Sequence, residues 1–206
     1  MFKRTKGYVL LTLLVLTGLA NQVASDTLTS KERKFLTNNL KDTKESLSKS
    51  VKGLSELQLN YKAAADKWSV KECVQHLAIV ENSLWMLADG ALKQPANSED
   101  RKEIKMTDED MVNFMNDRSK KFQAAEIVKP EQSKWKTTAE ALNAFKESRM
   151  RLIKYVKTTT EDVRNHVAKV PFGSIDVYQV FLMISSHTAR HTQQIEEVKA
   201  DAGFPK

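Results

Sequence analysis

Residues 176–200 read DVYQVFLMISSHTARHTQQIEEVKA and contain neither proline nor glycine. At about 100° per residue, the apolar positions of this run fall within a single stripe about 100° wide. The positions in the stripe are Val177, Val180, Phe181, Ile184, Ile195 and Val198. We therefore predict an amphipathic helix from Asp176 to about Ala200, closed by Gly203 with Pro205 beyond it.

Three further long helices are predicted from capping boxes, in which a Ser or Thr precedes a Glu by three residues. These boxes begin at Thr29, Ser69 and Thr137. The apolar spacing predicts a first helix to about Ser55, a second ending near Gly90, and a later one whose pattern extends through Val163 and Val167 up to a break at residues 171–173. A shorter accessory helix is predicted from Thr107 through Phe114 and Phe122.

The composition agrees with this pattern, because the 206 residues include 6 Gly and 4 Pro, too few for a turn-dense β fold. We predict an all-α protein, a four-helix bundle with an accessory short helix.

The first 25 residues have the features of a secretory signal. Three cations precede an uncharged run over residues 7–20, and Val23-Ala24-Ser25 offers small residues for cleavage. An uncleaved anchor is the alternative, but the apolar part is shorter than the roughly 20 residues that span a bilayer. We predict a signal peptide over residues 1–25, a single domain over residues 26–206, and export to the periplasm or the medium.

The charge argues against a nucleic-acid partner. Three cations of the net charge of +7 lie in the signal, which leaves +4 for residues 26–206. The densest basic patch, residues 118–121, is more typical of a solvated helix face than of a phosphate-binding stripe. We expect no nucleic acid and no stable membrane association after signal cleavage, with a homodimer as one assembly that the chain could form.

Three histidines are predicted to point inward. His187 and His191 are one turn apart on the apolar side of the last helix, and His76 lies at the margin of the stripe of the second helix. A divalent cation would use one nitrogen lone pair from each ring, and three His ligands would leave open positions for water. Binding would weaken as the pH falls through about 6.5. The alternative is a set of hydrogen-bonded core histidines.

Other polar residues near these positions permit two interpretations each. Cys73 could be a fourth ligand or a nucleophile, but its apolar neighbours favour a small buried side chain. Arg190 and Gln194 could support the metal site or be ordinary exposed residues. His166 follows polar residues and is predicted to face solvent. As the sole cysteine, Cys73 cannot form a disulfide within the chain.

Two segments carry a family resemblance. Residues 67–77, KWSVKECVQHL, and residues 187–197, HTARHTQQIEE, together with PFG at 171–173 and GFP at 203–205, resemble the DinB-like superfamily. The resemblance implies a four-helix bundle with a metal triad at His76, His187 and His191. It implies a divalent metal such as Zn, Ni or Fe, whose identity the ligands do not settle.

The resemblance leaves several functions open, because the superfamily includes metal-dependent thiol transferases, a thiol-dependent isomerase and many members of unknown activity. We expect a metal-dependent hydrolase or thiol transferase acting on a small-molecule substrate, in which the metal generates a nucleophile from water or thiol. The catalytic residues stay unknown, since no second residue is a persuasive general base. The alternative is a non-catalytic metal-binding or stress-associated module.

Overall fold

The computed structural model describes residues 28–206, so the predicted signal peptide over residues 1–25 lies outside the described residues. Its long helices are α1 (Ser30–Ser50), α3 (Val70–Leu92), α6 (Thr138–Thr158) and α7 (Val177–Lys199). The shorter elements are helices α2 (Glu56–Asn60), α4 (Ser98–Arg101) and α5 (Asp108–Asn116), 3-10 turns at Glu126–Val128 and Pro130–Gln132, and strands β1 (Val167–Val170) and β2 (Gly173–Asp176).

The four long helices form a bundle in which α1 and α3 each pack against both α6 and α7. Helices α1 and α3, which follow each other among the long helices, therefore lie at opposite corners, and so do α6 and α7. This arrangement places the N-terminal half of α3 beside the C-terminal half of α7. Over residues 28–206, none of the helices has the length and apolar character needed to cross a membrane.

The predicted helix starts are confirmed by their caps. Thr29, Ser69, Thr107 and Thr137 each accept a hydrogen bond from a backbone N–H at the third helical position, whose carboxylate accepts one in return. The same device opens α7, where Asp176 pairs with Gln179.

Two helix ends were predicted wrongly. Helix α1 stops at Ser50 rather than near Ser55, because Gly53 adopts a φ of 78° and Ser55 caps the new helix α2. Helix α5 stops at Asn116, so Phe122 lies beyond it.

The all-α prediction is also corrected, because the chain beyond α6 turns into a β-hairpin. Helix α6 ends at Thr158, and Val167 lies in β1 opposite Asp176 rather than on a helix. Ala168 and Ile175 face each other in this hairpin and are both buried, which gives the short strands a place in the core. Over residues 28–206 the protein is mostly helical, with one two-stranded sheet.

A buried ion pair separates two apolar clusters in the bundle core. Arg149 on α6 is 0% exposed and donates to both carboxylate oxygens of Glu81 on α3, at 2.6 and 2.8 Å. The same guanidinium donates to the hydroxyls of Thr43 on α1 and Thr188 on α7. All four long helices therefore meet at one polar layer, and the second apolar cluster, which contains Leu77 and other residues of α3 and α7, fills the end that holds the histidines.

Candidate metal centre

The structure brings together all three histidines singled out in the sequence. His76 lies on the second turn of α3, while His187 and His191 lie one turn apart on the neighbouring helix α7. One ring nitrogen from each lies within 4.8 Å of the others. Nε2 of His187 is 3.4 Å from Nε2 of His76 and 3.1 Å from Nε2 of His191.

The cluster is largely shielded from water. His76 and His191 are 3% and 7% exposed, and His187 keeps a partly exposed edge. The indole of Trp68, just before α3, packs against two of the rings, with centroid distances of 4.8 Å to His76 and 5.8 Å to His191. The apolar cluster behind it and this indole lower the local dielectric around the three nitrogens.

Hydrogen bonds at the far side of two rings favour one tautomer of each ring. Nδ1 of His76 lies 2.6 Å from the carbonyl oxygen of Val128, which can only accept, so this hydrogen bond forms when the proton is on Nδ1. Nδ1 of His191 likewise donates to Oε1 of Gln194 at 2.9 Å. In a neutral imidazole the other nitrogen then carries a lone pair. Nε2 of His76 and Nε2 of His191 therefore both present lone pairs toward His187.

Burial keeps these rings neutral, because it lowers the pKa of all three histidines below the ordinary value of 6.5. Protonation of one ring would also place a positive charge beside the others, and this repulsion lowers the pKa of His187 and His191 further. The contacts of His76 with Val128 and of His191 with Gln194 oppose the shift only in part. Neutral imidazole is the form that binds metal ions.

Cys73 fits the interpretation as a small buried apolar residue. It is fully buried in the apolar cluster with Val74 and Leu77, and burial raises the pKa of its thiol. It is not a member of the converging group, which within residues 28–206 consists of the three histidines.

The prediction for His166 was wrong. Its side chain is 8% exposed rather than solvent-facing, and its Nδ1 lies 3.1 Å from the carbonyl oxygen of Ala91. The β-hairpin that follows brings this residue against the end of α3, which the local polar sequence did not reveal.

Neither Arg190 nor Gln194 is an ordinary exposed residue, since Arg190 is buried and Gln194 is half-buried. The Arg190 guanidinium is buried and donates to the backbone carbonyls of Asp117 at 2.6 Å, of Met115 at 3.3 Å and of Lys120. Gln194 is the hydrogen-bond partner of His191. The contact from Val128 was missed by the sequence analysis, because a backbone carbonyl 52 residues away leaves no mark in residue type or spacing.

The chain is similar in sequence to one protein of Bacillus subtilis and in fold to another. The uncharacterized protein YuaE of Bacillus subtilis (strain 168) is 28% identical over 151 residues, which cover 72% of this chain and 88% of YuaE. The solved structure of YfiT from Bacillus subtilis, described as a probable metal-dependent hydrolase with an unusual four-helix bundle topology, matches with a TM-score of 0.59. The match covers 87% of this chain and 92% of YfiT at 15% identity, so it concerns the fold alone.

A sequence profile of the DinB superfamily matches residues 39–195, a span that includes α3, α6, the β-hairpin and all three clustered histidines. Since this span is well over half of the chain, the protein belongs to the DinB superfamily.

Proposed function

We propose that the protein binds one divalent metal ion through Nε2 of His76, His187 and His191. The observation that carries this proposal is the convergence of neutral imidazole nitrogens, two of which present lone pairs to the third. Two nitrogens bound to one tetrahedral ion at about 2.05 Å lie about 3.3 Å apart. The Nε2 separations of 3.4 Å between His76 and His187 and 3.1 Å between His187 and His191 are close to this spacing, and one ring nitrogen from each histidine lies within 4.8 Å of the others.

The activity we propose is metal-dependent hydrolysis of a small-molecule substrate. A divalent ion, when bound, supplies Lewis acidity that lowers the pKa of a water molecule and polarises a carbonyl group. Within residues 28–206, the converging group would supply three neutral ligands to such an ion and would leave its remaining positions to water or substrate. Trp68 and the apolar cluster exclude bulk water, while the contacts of Val128 and Gln194 hold two of the rings in place. The description of YfiT as a probable metal-dependent hydrolase is consistent with this activity.

A thiol-transfer reaction at the same site is a weaker candidate, because we propose that the protein is exported, away from cytosolic thiols. The proposal of export rests on the signal-like residues 1–25. The intact mass of the protein from its native host tests it, since a mature chain that begins near Asp26 supports export and a full-length cytoplasmic chain contradicts it.

A non-catalytic metal-binding module is the second candidate, and one observation favours it. Within residues 28–206, the converging group contains no carboxylate or thiol beside the histidines that could act as a base. Such a module would keep the metal affinity but would not turn over a substrate.

The test of the proposed function measures metal content and turnover on the same preparations. Purified protein is loaded with Zn²⁺, Ni²⁺ or Fe²⁺ and screened on ester, amide and thiol-transfer substrates, with His187→Ala as the control. Hydrolysis that is lost in His187→Ala supports the hydrolase. One bound ion without turnover supports the module, and a wild type that binds no ion contradicts both.

A further inference from the structure

Residues 117–136, between α5 and α6, form a segment that we call the strap. Its regular structure consists of the two 3-10 turns, and Pro130 is its one buried residue. Ile127 in the strap is 77% exposed, and Phe122 is 51% exposed although its ring packs against Phe114. A segment with so few buried contacts belongs to the part of a protein that opens first.

Polar contacts hold the strap to the bundle, and they come from the proposed ligands and their neighbours in the chain. Arg190, which precedes His191, donates to the carbonyls of Asp117 and Lys120 near the start of the strap. Gln75, which precedes His76, donates from Nε2 to the carbonyl of Trp135 at 2.8 Å near its end.

Two further polar contacts attach the strap, beside the apolar packing of Trp135 against the second apolar cluster. Arg118 pairs with Glu197 on α7 through both of its carboxylate oxygens, at 3.1 and 2.5 Å. In the middle of the strap, the Val128 carbonyl accepts from Nδ1 of His76 itself.

We propose that attachment of the strap is coupled to metal occupancy of the three-histidine site, through the tautomer of His76. This inference rests on the proposed metal site. Without metal, the proton of His76 can also reside on Nε2, where the nitrogen of His187 at 3.4 Å can accept it. Nδ1 then presents a lone pair to the Val128 carbonyl, and two acceptors face each other.

A metal ion bound to Nε2 of His76 would exclude the tautomer in which Nε2 carries the proton. The ring proton then resides on Nδ1, and the hydrogen bond to Val128 is retained for as long as the ion is bound. Coupling of this kind is reciprocal, so an attached strap raises metal affinity by the same factor by which metal favours attachment. A strap that is only a static brace would show no such dependence.

Hydrogen exchange of the full protein, followed by mass spectrometry with and without Zn²⁺, tests the coupling. We expect strap amides to exchange at least about fivefold more slowly with Zn²⁺, the lower end of typical coupling factors. Amides of α1 serve as the internal reference and should stay unexchanged with and without Zn²⁺, at labelling times that are short relative to global unfolding. His191→Ala, which keeps the contact between His76 and Val128 but lacks one ligand, should show no Zn²⁺-dependent slowing in the strap.

Calorimetric titration of the same samples separates the two ways in which the expectation can fail. Zn²⁺ binding without a change in strap exchange would overturn the coupling and leave the metal site standing. Absence of Zn²⁺ binding would overturn the proposed function and the coupling with it.

A variant within the strap tests the reciprocal effect without touching a ligand. Ile127→Gly adds backbone freedom to the strap, and a cost of about 0.5–1 kcal/mol corresponds to a loss of Zn²⁺ affinity of about two- to fivefold. Ala96→Gly is the matched control in the exposed loop after α3, whose last residue Leu92 lies about 24 Å from His76 along the helix axis, and should bind as the wild type does. Equal affinities for the two variants would contradict the coupling.

Discussion

Nδ1 of His191 donates a hydrogen bond to Oε1 of Gln194, which lies three residues further along the same helix at a distance of 2.9 Å. The helix that supplies two of the proposed ligands thus also supplies the group that orients one of them. Because the contact lies within α7, it holds the ring with its Nε2 toward His187 before any ion arrives. A ligand held in this way loses less conformational entropy when it binds metal.

Replacement of Gln194 tests this orienting role. We expect Gln194→Ala to weaken metal affinity about 10- to 100-fold, since loss of a group that hydrogen-bonds a ligand has effects of that size. Gln193→Ala is the control, because Gln193 is the exposed neighbour on the same helix. Calorimetric titration of both variants measures the difference, and equal affinities would show that Gln194 does not orient the ring.

The pH dependence of metal binding follows from the lowered pKa values. The ordinary imidazole pKa of 6.5 predicts that binding weakens as the pH falls through that value. In the folded protein burial lowers the pKa of His76, His187 and His191, so protons compete with metal only at lower pH. We expect affinity to hold as the pH falls from about 7.5 to about 6.5 and to drop below that range. A tenfold loss already between those two values would contradict the shielding of the site.

The polar layer at Arg149 makes a prediction about stability. Arg149→Met leaves the carboxylate of Glu81 buried without its partner, and we expect a loss of about 3–5 kcal/mol in the free energy of unfolding. The double variant Arg149→Met, Glu81→Leu should lose less, because no buried charge is left unpaired. Urea unfolding of Arg149→Met, of Glu81→Leu and of the double variant measures the interaction energy between Arg149 and Glu81. Lys102→Met, which removes an exposed ion pair with Glu99, should change stability little.

Cys73 provides a test of the ligand set. Since its thiol is buried in the apolar cluster and burial raises its pKa, we expect Cys73→Ala to bind metal as tightly as the wild type. The thiol of the folded protein should also react slowly with a water-soluble disulfide reagent. A tenfold loss of metal affinity in Cys73→Ala would instead identify the thiol as a fourth ligand.

The sequence predicts α7 and its histidines well because the signals are local. An apolar stripe and an i, i+4 pair of histidines are both contained in one run of chain without proline or glycine. The hairpin was missed at Val167 because a short segment with β-branched residues fits a helix stripe or a strand equally well. The burial of Arg149 left a weak signal, since it lies four residues after Phe145 on the apolar side of α6. The contact of the Val128 carbonyl with His76 left no signal in the sequence, because it depends on the path of the strap.

Thermal unfolding with and without metal tests the three-histidine site most directly. If the ion binds only the folded protein, Zn²⁺ at 100 times its dissociation constant should add about 2.7 kcal/mol of stability. For a domain of this size that corresponds to a rise in Tm of about 5–10 °C. His191→Ala should lose the whole rise. A wild type whose Tm does not change with Zn²⁺ or Ni²⁺, or a His191→Ala variant that gains as much as the wild type, would contradict metal binding by His76, His187 and His191.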